Sequence, residues 1–438
     1  MSARGTVWFG LYLALALLPL VFALAAAPAA IPGSFAVQTG VACGFIALAL
    51  IVLEVALVSR LRAASRPFGT DALMFFHRLM GIGALGFAAV HPLLVDPRPT
   101  LQALDPSRGP SSIRAGTIAL WLLVALIGAS LARKRLRLRY EWWQPTHGMG
   151  ALVVVVLAVA HTLGTGRHAA ATPIAVVIVL YGALFVGLLV AYRAVRPLWM
   201  WAHPWVIAQN RAIGGDTRLV ALTPARGRPL AFEAGQFVWL VTGRTPFGRQ
   251  QHPLSIVSSA EPAPNAPLEL AVKALGDWSA MVVPALRPGM RVWVDGPYGA
   301  FTPERAPGQG FVLIAGGIGI SPMRSMLLTM RDREDPRSVV LLYAARNPSR
   351  VVFADELAAL ERVMRLRVVY VYEEPPGDWR GERGFVTDAM LRRHLPPHHT
   401  HHQYFVCGPP AMMDALEGML RRLGVAGERV HTERFDMV

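Results

Sequence analysis

The sequence predicts a multidomain membrane protein, in which an all-α bundle of six transmembrane helices precedes an antiparallel β-barrel and an α/β domain. The chain has 438 residues, of which 53% are hydrophobic and 16% are charged. This length suits about three domains of roughly 150 residues each. Long apolar runs are concentrated before residue 195, whereas the remainder has the composition of a soluble protein. We expect domains at residues 1–195, 196–302 and 303–438.

Six apolar segments approach or exceed the roughly 20 residues that a helix needs to cross a bilayer. They cover residues of about 7–30, 36–59, 71–95, 113–132, 146–165 and 172–193. Basic clusters follow the second, fourth and sixth segments, at residues 60–66, 133–139 and 193–196, and the intervening loops are less basic. Since cytoplasmic loops carry the excess of Lys and Arg, both termini and the soluble domains are expected in the cytoplasm, with the bundle in the cell inner membrane.

The first apolar segment also resembles a signal peptide, because Ala23 to Ala27 include the small residues of a cleavage site. Its apolar run is longer than the usual core of about 7–15 residues. Cleavage would also leave five segments and an external N-terminus. We therefore expect a retained helix.

The formal net charge of +15 raises the question of a nucleic-acid partner. Many of the arginines flank apolar segments, where they set topology, so no nucleic-acid partner is expected. The chain has two cysteines, Cys43 in an apolar segment and Cys407 in the soluble part, so a disulfide is not expected. Two thiolates cannot hold a four-cysteine iron–sulfur cluster, so a redox centre would need other ligands.

The soluble part changes its pattern near residue 303. Before it, short β-like runs separated by Pro and Gly predict an antiparallel barrel, with strands at 217–222, 237–241, 268–272 and 291–294. After it, apolar runs alternate with helical stretches, which predicts a parallel sheet. These runs are 311–315, 339–343, 367–371 and 404–406. The histidine tract at 398–402 is expected to be a solvated loop.

Four histidines lie in the third and fifth apolar segments. His77 and His91 are 14 residues apart, as are His147 and His161. At 3.6 residues per turn and 1.5 Å per residue, each pair shares a helix face and is separated by about 21 Å. The two helices run in the same direction, so His77 can face His147 and His91 can face His161. Facing imidazoles are suitable axial ligands for iron, and the sequence predicts two b-type haems at these levels.

Flavin and nicotinamide motifs follow one another in the soluble part. A strand that presents a hydroxyl can bond the edge of a flavin, and this strand contains His252, Pro253, Leu254 and Ser255. In the segment that begins at Lys273, Gly276 and Ser279 offer a close backbone approach and a hydroxyl to a pyrophosphate. The segment 296–299 is expected to be a turn between the barrel and the next domain.

A glycine-rich loop follows the predicted strand at 311–314 and begins a helix. Its characteristic residues are Gly316, Gly317, Gly319 and Pro322. Such glycines let a dinucleotide pyrophosphate approach the helix N-terminus, whose dipole favours anions. A later strand ends at Cys407, which is followed by Gly408 and Pro409. Because this turn lies at the same sheet edge, Cys407 is expected near the nicotinamide, although a small core residue is the alternative.

This order of motifs resembles the prokaryotic branch of the ferric reductase and NADPH oxidase superfamily, in which a six-helix haem domain is fused to a ferredoxin-reductase-like module. The resemblance extends from the first helix to Phe435 and implies that His252 and Ser255 contact FAD. It also implies that Glu433 and Phe435 form the element whose aromatic ring covers the flavin, although three further residues follow here. Where related flavin reductases place an arginine, this chain has Pro253, and Arg249 is a candidate to supply phosphate charge.

The resemblance implies NAD(P)H oxidase or ferric reductase activity, with electrons passing from the nicotinamide through FAD and two haems to the outer face. Arg346 follows the strand at 339–343, where a 2′-phosphate would lie, which favours NADPH over NADH. Oxygen, giving superoxide, and a ferric chelate are equally suitable acceptors. Arg167 and His168 are candidates to stabilise superoxide. A quinone or a protein acceptor is the alternative.

Two other classes of function are weighed against this one. Intramembrane histidines also serve hydrogen bonds or proton paths, and a haem-free transporter regulated by a nucleotide would predict broken helices with polar residues at the midplane. Glu54 is the only carboxylate well inside an apolar segment of the sequence. A membrane-tethered flavoprotein without haem is the third alternative. Apart from lipid and a small-molecule acceptor, we expect no obligate protein partner.

Overall fold

The computed structural model describes residues 3–25, 34–95, 104–166, 172–248, 250–261, 263 and 266–434. The chain divides into two compact units, Met1–Arg196 and Pro197–Val438. The first unit is helical, and the second contains an antiparallel sheet followed by a parallel one. The predicted fold class is therefore confirmed. The expectations for Arg167, His168, Arg249 and Phe435 lie outside the described residues.

The described part of the first unit contains helices that are long and apolar enough to cross a membrane. They are α1 (Ala3–Ala25), α2 (Phe35–Val58), α3 (Arg62–Val95), α4 (Ser111–Leu131), α5 (Tyr140–Gly164) and α6 (Thr172–Val190). A wider turn at Ala191–Val195 links α6 to the short helix α7 (Arg196–Ala202). Of the apolar window in α2, 56% is buried, against 28% or less in the other five, so α2 is the central helix of the bundle.

Helices α3 and α5 begin nine and six residues earlier than the hydropathy pattern predicts. In α3, Gly69 has φ 73° and kinks the helix, a backbone conformation that is rarely open to residues with a Cβ. In α5, the first turn contains Glu141, whose charge interacts favourably with the helix dipole. Polar first turns of this kind lie outside an apolar run, which is why hydropathy alone places the helix start too late.

The first sheet of the second unit is antiparallel and has the order β4-β3-β6-β1-β2-β5. Its strands are β1 (Trp205–Gly214), β2 (Thr217–Pro224), β3 (Phe237–Val241), β4 (Gln251–Ser255), β5 (Leu268–Lys273) and β6 (Arg291–Tyr298). Ile256, directly after β4, bridges Leu270 in β5. The two edge strands therefore meet, and the sheet closes into the predicted barrel.

Two details of the barrel differ from the sequence prediction. Strand β1 is not predicted, because its Gln, Asn and Arg side chains interrupt the apolar alternation on its exposed half. The expected turn at 296–299 is wrong for its first three residues, since Gly296–Tyr298 belong to β6 and Tyr298 pairs with Phe237. The turn begins at Gly299, which has φ 107°.

The second sheet is parallel and has the order β10-β9-β8-β7-β11-β12. Its strands are β7 (Gly310–Gly316), β8 (Ser338–Ala345), β9 (Leu366–Tyr372), β10 (Glu382–Arg383), β11 (Gln403–Cys407) and β12 (Val430–Glu433). After α7, the second unit contains α8 (Val283–Ala285), which lies between β5 and β6 of the barrel. The helices that follow β7 are α9 (Ile320–Asp332), α10 (Ala354–Val363), α11 (Asp388–His394) and α12 (Pro410–Arg422). Strand order reverses between β7 and β11, and ligands of such sheets bind at the carboxyl ends of the strands beside this switch point.

Candidate cofactor sites

The bundle brings the four membrane histidines together as two facing pairs. The ring centroids of His77 and His147 are 6.3 Å apart, with an interplanar angle of 74°. Those of His91 and His161 are 5.9 Å apart, with an angle of 82°. The pairs are those expected from the spacing of 14 residues on α3 and α5.

The spacing of each pair fits an iron held between two imidazoles. Metal–nitrogen bonds of about 2.0–2.1 Å on either side, with the two ring half-widths added, separate the ring centroids by roughly 6 Å. A ligating imidazole also needs its other nitrogen to donate a hydrogen bond, which fixes the tautomer. All four histidines have an oxygen beside Nδ1, so that Nε2 is the nitrogen left for the metal. The residues present therefore fit two bis-histidine haems.

We call His91 and His161 the outer pair. The oxygens beside their Nδ1 atoms both belong to backbone carbonyls. His91 Nδ1 lies 2.8 Å from the carbonyl oxygen of Gly40 on α2. His161 Nδ1 lies 2.8 Å from the carbonyl oxygen of Ser112 on α4. Four residues after each carbonyl, the same helix carries a glycine beside the imidazole, Gly44 in α2 and Gly116 in α4. The two histidines are thus supported in the same way by two different helices.

These two glycines are required by space. A Cβ on Gly44 would lie 2.8 Å from His91 Nδ1, and a Cβ on Gly116 would lie 2.5 Å from His161 Nδ1. Both distances are shorter than real Cβ contacts, so any larger residue would push the ring out of position. Sequence reasoning did not find Gly44 or Gly116, because each is more than 40 residues from the histidine that it supports.

A cavity of about 600 Å³ surrounds the outer pair, which is within the range of cofactor sites. Its walls are largely apolar, with Phe45, Leu48 and Leu123 among the lining side chains. Thr117 and Thr162 add hydroxyls to the lining. An apolar cavity that contains two facing imidazoles suits a flat, mostly apolar macrocycle with iron at its centre.

The pair of His77 and His147, which we call the inner pair, is supported by side chains instead. The Glu54 carboxylate on α2 contacts His77 Nδ1. His147 Nδ1 lies 3.2 Å from the Ser130 hydroxyl on α4. The ring of Trp143 packs beside His147 with centroids 5.0 Å apart. The partners of the inner pair are therefore one carboxylate and one hydroxyl, in contrast to the two carbonyls of the outer pair.

In the barrel, two of the predicted flavin motifs lie against each other. His252 in β4 stacks on Trp278, with ring centroids 3.7 Å apart and planes 15° apart. Ser255, at the end of β4, is 4% exposed, and its hydroxyl oxygen is buried without a hydrogen-bond partner among the described protein atoms. Burying such a hydroxyl without a partner costs about 1–3 kcal/mol, so Ser255 fits a site where a flavin supplies the partner.

The second flavin motif is a turn that is organised by Ser279. Its hydroxyl accepts hydrogen bonds from the backbone N–H groups of Leu275 (2.9 Å) and Gly276 (3.0 Å). It also donates to the Gly276 carbonyl oxygen at 2.9 Å. Ser279 therefore holds the shape of the turn. Lys273, at the end of β5, directs its ammonium towards Gly317, where a Cβ would lie 3.7 Å from Nζ.

The glycine-rich loop and the turn after β11 pack directly against each other. A Cβ on Gly319 would lie 2.1 Å from the Cys407 carbonyl oxygen, and a Cβ on Gly316 would lie 2.7 Å from Pro409 Cδ. Gly408 also lies close to Gly316, since a Cβ on Gly408 would lie 3.1 Å from the Gly316 Cα. Strands β7 and β11 are neighbours in the sheet, so both turns lie at the switch point where nucleotides bind.

The first turn of α9 supplies a further polar group at this edge. Ser321 is 2% exposed, and its hydroxyl has no hydrogen-bond partner among the described protein atoms. Pro322 is buried beside it. The Cys407 side chain is fully buried and belongs to the same apolar cluster as Phe405 and Ile320. Its burial is typical of a core cysteine, and its predicted place beside the nicotinamide stays a prediction.

Arg346 follows β8, and its guanidinium donates a hydrogen bond of 2.8 Å to Glu374, which follows β9. Both side chains are exposed, with 63% and 58% accessibility. This hydrogen bond lowers the pKa of Glu374, which keeps the carboxylate charged and the pair intact near neutral pH. A ribose 2′-phosphate would therefore compete with Glu374 for Arg346.

Glu433, the last residue of β12, is 6% exposed. Its carboxylate lies beside Gly299, where a Cβ would come within 3.3 Å of Oε1. Gly299 in turn follows β6 of the barrel, so Glu433 links the end of the parallel sheet to the barrel. The role predicted for Phe435 in covering the flavin stays a prediction.

Three family models match successive parts of the chain. They are described as a ferric reductase like transmembrane component at residues 43–158, an FAD-binding domain at 212–302 and an oxidoreductase NAD-binding domain at 313–418. The fold and these matches define a membrane oxidoreductase with FAD-binding and NAD-binding domains. More specifically, a transmembrane component like that of ferric reductases is fused to a module of the ferredoxin-reductase type.

Curated relatives match the soluble half. Ferredoxin–NADP reductase B of Sorangium cellulosum is 31% identical over 244 residues, which are 50% of this chain and 97% of that protein. The flavohemoprotein of Bacillus subtilis is 27% identical over 243 residues, which are 54% of this chain. The match covers 60% of the Bacillus protein, which is less than two thirds of its length.

A likeness of fold extends further along the chain. The flavohemoglobin of Malassezia yamatoensis, solved with FAD and heme, superposes with a TM-score of 0.50 at 17% identity. The superposed region covers 92% of this chain and 99% of the flavohemoglobin. At this identity the likeness is one of fold alone.

Proposed function

We propose that this protein carries electrons from NAD(P)H, through FAD and two bis-histidine b-type haems, to a small-molecule acceptor on the other side of the membrane. The observation that supports this most strongly is the geometry of the four histidines. Two pairs on α3 and α5 have ring separations of 6.3 and 5.9 Å, and each ring has an oxygen beside Nδ1. Histidines that served only to pack the helices would not need the same ring separation and the same Nδ1 contact in two separate pairs.

The protein's part at the haem sites is to hold and orient. His77 and His147 would ligate the inner haem, and His91 and His161 the outer one. A haem with both axial positions filled by histidine carries single electrons and binds no substrate at iron. The apolar cavity at the outer pair would exclude water from the macrocycle, which helps to set its potential.

At the nucleotide sites, the protein aligns donor and acceptor. A flavin accepts two electrons as hydride and releases them one at a time. Ser255 would donate its buried hydroxyl to the flavin edge, and Lys273 would attract phosphate oxygens near Gly317. The N-terminus of α9, with Gly319 and Ser321, would bind the nicotinamide pyrophosphate. Arg346 would bind a 2′-phosphate, which favours NADPH.

The basic loops after α2, α4 and α6 support a cytoplasmic location for both termini and for the FAD-binding and NAD-binding domains, with the bundle in the cell inner membrane. Electrons would then enter at the inner pair and leave at the outer pair. The acceptors that fit are molecular oxygen, which would give superoxide, and a ferric chelate. Both can be reduced at a haem edge without binding to the iron.

The test uses the purified full chain in lipid vesicles, with NADPH on the side of the soluble domains. We expect a reduced-minus-oxidised difference spectrum with the bands of two b-type haems. We also expect the acceptor to be reduced on the opposite side of the membrane. Parallel assays of superoxide and of ferrous iron identify the acceptor. Failure of both with haems that are reduced normally would indicate a quinone or protein acceptor. A flavin-only spectrum would overturn the proposal.

A further inference from the structure

The four candidate haem ligands differ in the oxygen that lies beside Nδ1. His91 and His161 face backbone carbonyls, and His147 faces a hydroxyl. These three acceptors are neutral. His77 faces the carboxylate of Glu54. The asymmetry is therefore confined to one ring of the inner pair.

Glu54 lies deep in the bundle. Its side chain is 12% exposed, and both carboxylate oxygens are shielded from solvent. It belongs to α2, the most buried of the six helices, between the buried residues Leu53 and Val55. An ionisable side chain inside a membrane is costly, and those that persist face a partner with which they act. The partner here is the imidazole of His77.

A carboxylate behind an axial histidine changes the metal's electronics. It draws the Nδ1 proton more strongly than a neutral oxygen does, which makes Nε2 a stronger donor to iron. Stronger donation and a nearby negative charge both stabilise the more positive, oxidised iron. Both effects would lower the reduction potential of a haem held by His77, and the charge would act more weakly at the outer pair, about 21 Å further along the helices.

We propose that Glu54 is a positioning residue that gives the inner haem a lower reduction potential than the outer haem. This inference rests on the proposed function. In the forward step one electron would move from the inner to the outer site, so that an iron held by His77 and His147 would go from Fe(II) to Fe(III) and one held by His91 and His161 from Fe(III) to Fe(II). No bond is broken and no proton is transferred. Since the electron is supplied by the reduced flavin, a lower inner potential makes the step towards the acceptor favourable and opposes its return.

The first test is a redox titration of the wild-type chain and of Glu54→Gln, followed in the haem bands. Glutamine keeps the volume and an oxygen acceptor but removes the charge. We expect two haems per FAD in both proteins. In Glu54→Gln, the lower of the two midpoint potentials should rise by at least about 59 mV, which is a tenfold change in equilibrium constant for a one-electron couple. The higher midpoint should move by less than the lower one, and Glu54→Asp should restore most of the difference.

Two controls isolate the effect of the carboxylate. Glu141→Gln makes the same substitution in the first turn of α5 and should leave both midpoints in place. Ser130→Ala removes the neutral acceptor behind His147 and should raise the lower midpoint by less than Glu54→Gln does. Unchanged midpoints in Glu54→Gln, or a higher midpoint that moves as far as the lower one, would overturn the inference.

A second measurement does not depend on whether Glu54→Gln accumulates with haem. His161→Ala should remove the outer haem and leave one haem that titrates at the lower of the two wild-type midpoints. A remaining haem at the higher midpoint overturns the inference by itself. These outcomes are distinct from failure of the proposed function, which would appear as missing b-type haem in the wild-type protein.

Discussion

The membrane bundle and the soluble module form their candidate sites in different ways. In the bundle, each histidine on α3 or α5 is oriented by an oxygen on α2 or α4, and the partners of His91 and His161 are 51 and 49 residues away in the sequence. In the module, the candidate groups lie at strand ends and on the turns that follow them, and Ser279 bonds groups only three and four residues away. The bundle site thus depends on packing between long helices, whereas the module brings together short turns at the ends of neighbouring strands. Each region should therefore fail separately when it is altered.

The largest effect is expected from His91→Ala. Loss of one axial ligand should remove the outer haem, lower the haem-to-FAD ratio from two to one and abolish reduction of the external acceptor. Stopped-flow reduction of the flavin by NADPH should keep the wild-type rate, because the module is not changed. His401→Ala, in the exposed part of the histidine tract, is the matched control. Equal loss of flavin reduction would contradict the separation of the two regions.

Gly319→Ala in the module should have the opposite effect, which is slower flavin reduction with both haems retained. The new Cβ would lie 2.1 Å from the Cys407 carbonyl oxygen, and because that oxygen belongs to the backbone, no side-chain movement can relieve the contact. Overpacking costs about 1–3 kcal/mol, which corresponds to a fall in the rate of flavin reduction by NADPH of roughly 5- to 150-fold. The haem-to-FAD ratio should remain two.

The control for that variant is Gly427→Ala, where a Cβ meets open space. It should reduce its flavin at the wild-type rate. A Gly319→Ala protein with an unchanged rate would show that the packing of the two turns does not govern nicotinamide binding.

A smaller effect is expected from Gly116→Ala at the outer pair. Its Cβ would lie 2.5 Å from His161 Nδ1, so the ring must rotate away from the metal position. We expect partial loss of the outer haem and a changed Soret band, measured as haem per FAD. Gly128→Ala, on the same helix with open space around its Cβ, should retain both haems and gain helix stability of up to about 1 kcal/mol. Identical haem content in the two variants would contradict the steric role of Gly116.

Ser255→Ala should weaken FAD binding without changing the haems. A buried hydrogen bond of this kind contributes about 0.5–1.5 kcal/mol, which corresponds to a dissociation constant for FAD raised by roughly two- to tenfold. Equilibrium dialysis of the purified protein measures it, with Ser338→Ala at the exposed start of β8 as the control. An unchanged dissociation constant would remove Ser255 from the flavin site.

The smallest effect is expected from Glu374→Gln. The substitution removes the charge that now pairs with Arg346, so the guanidinium becomes freer to bind a 2′-phosphate. We expect the ratio of kcat/KM for NADPH to that for NADH to rise a few-fold. Because the pair lowers the pKa of Glu374, the wild-type carboxylate stays charged over roughly pH 6–8, so its titration should not change the wild-type ratio in that range. A fall in the ratio would contradict the role of Arg346.

The same contrast explains what could be predicted from the sequence. The four histidines could be paired because a helix converts a spacing of 14 residues into a shared face. The glycine-rich loop could be placed because a strand, a turn and a helix follow one another in the sequence. The residues behind the histidines could not be found in this way. Glu54 is visible as an intramembrane carboxylate, but its contact with His77 depends on how α2 packs against α3.

The differences in the barrel have a local cause. Strand β1 has an exposed half with Gln209, Asn210 and Arg211, which hides the alternation that identifies a strand. Gly296 and Pro297 favour a turn by composition, yet both continue β6. Turn chemistry near Gly299 and pairing with β3 decide the end of that strand.

The central claim is that two histidine pairs hold two haems for each flavin. The most direct measurement is the haem-to-FAD ratio of the purified chain, expressed with haem supplied and determined from its pyridine haemochrome and flavin spectra. The account predicts a ratio of two with b-type bands. A ratio of zero or one in the wild-type protein would contradict it.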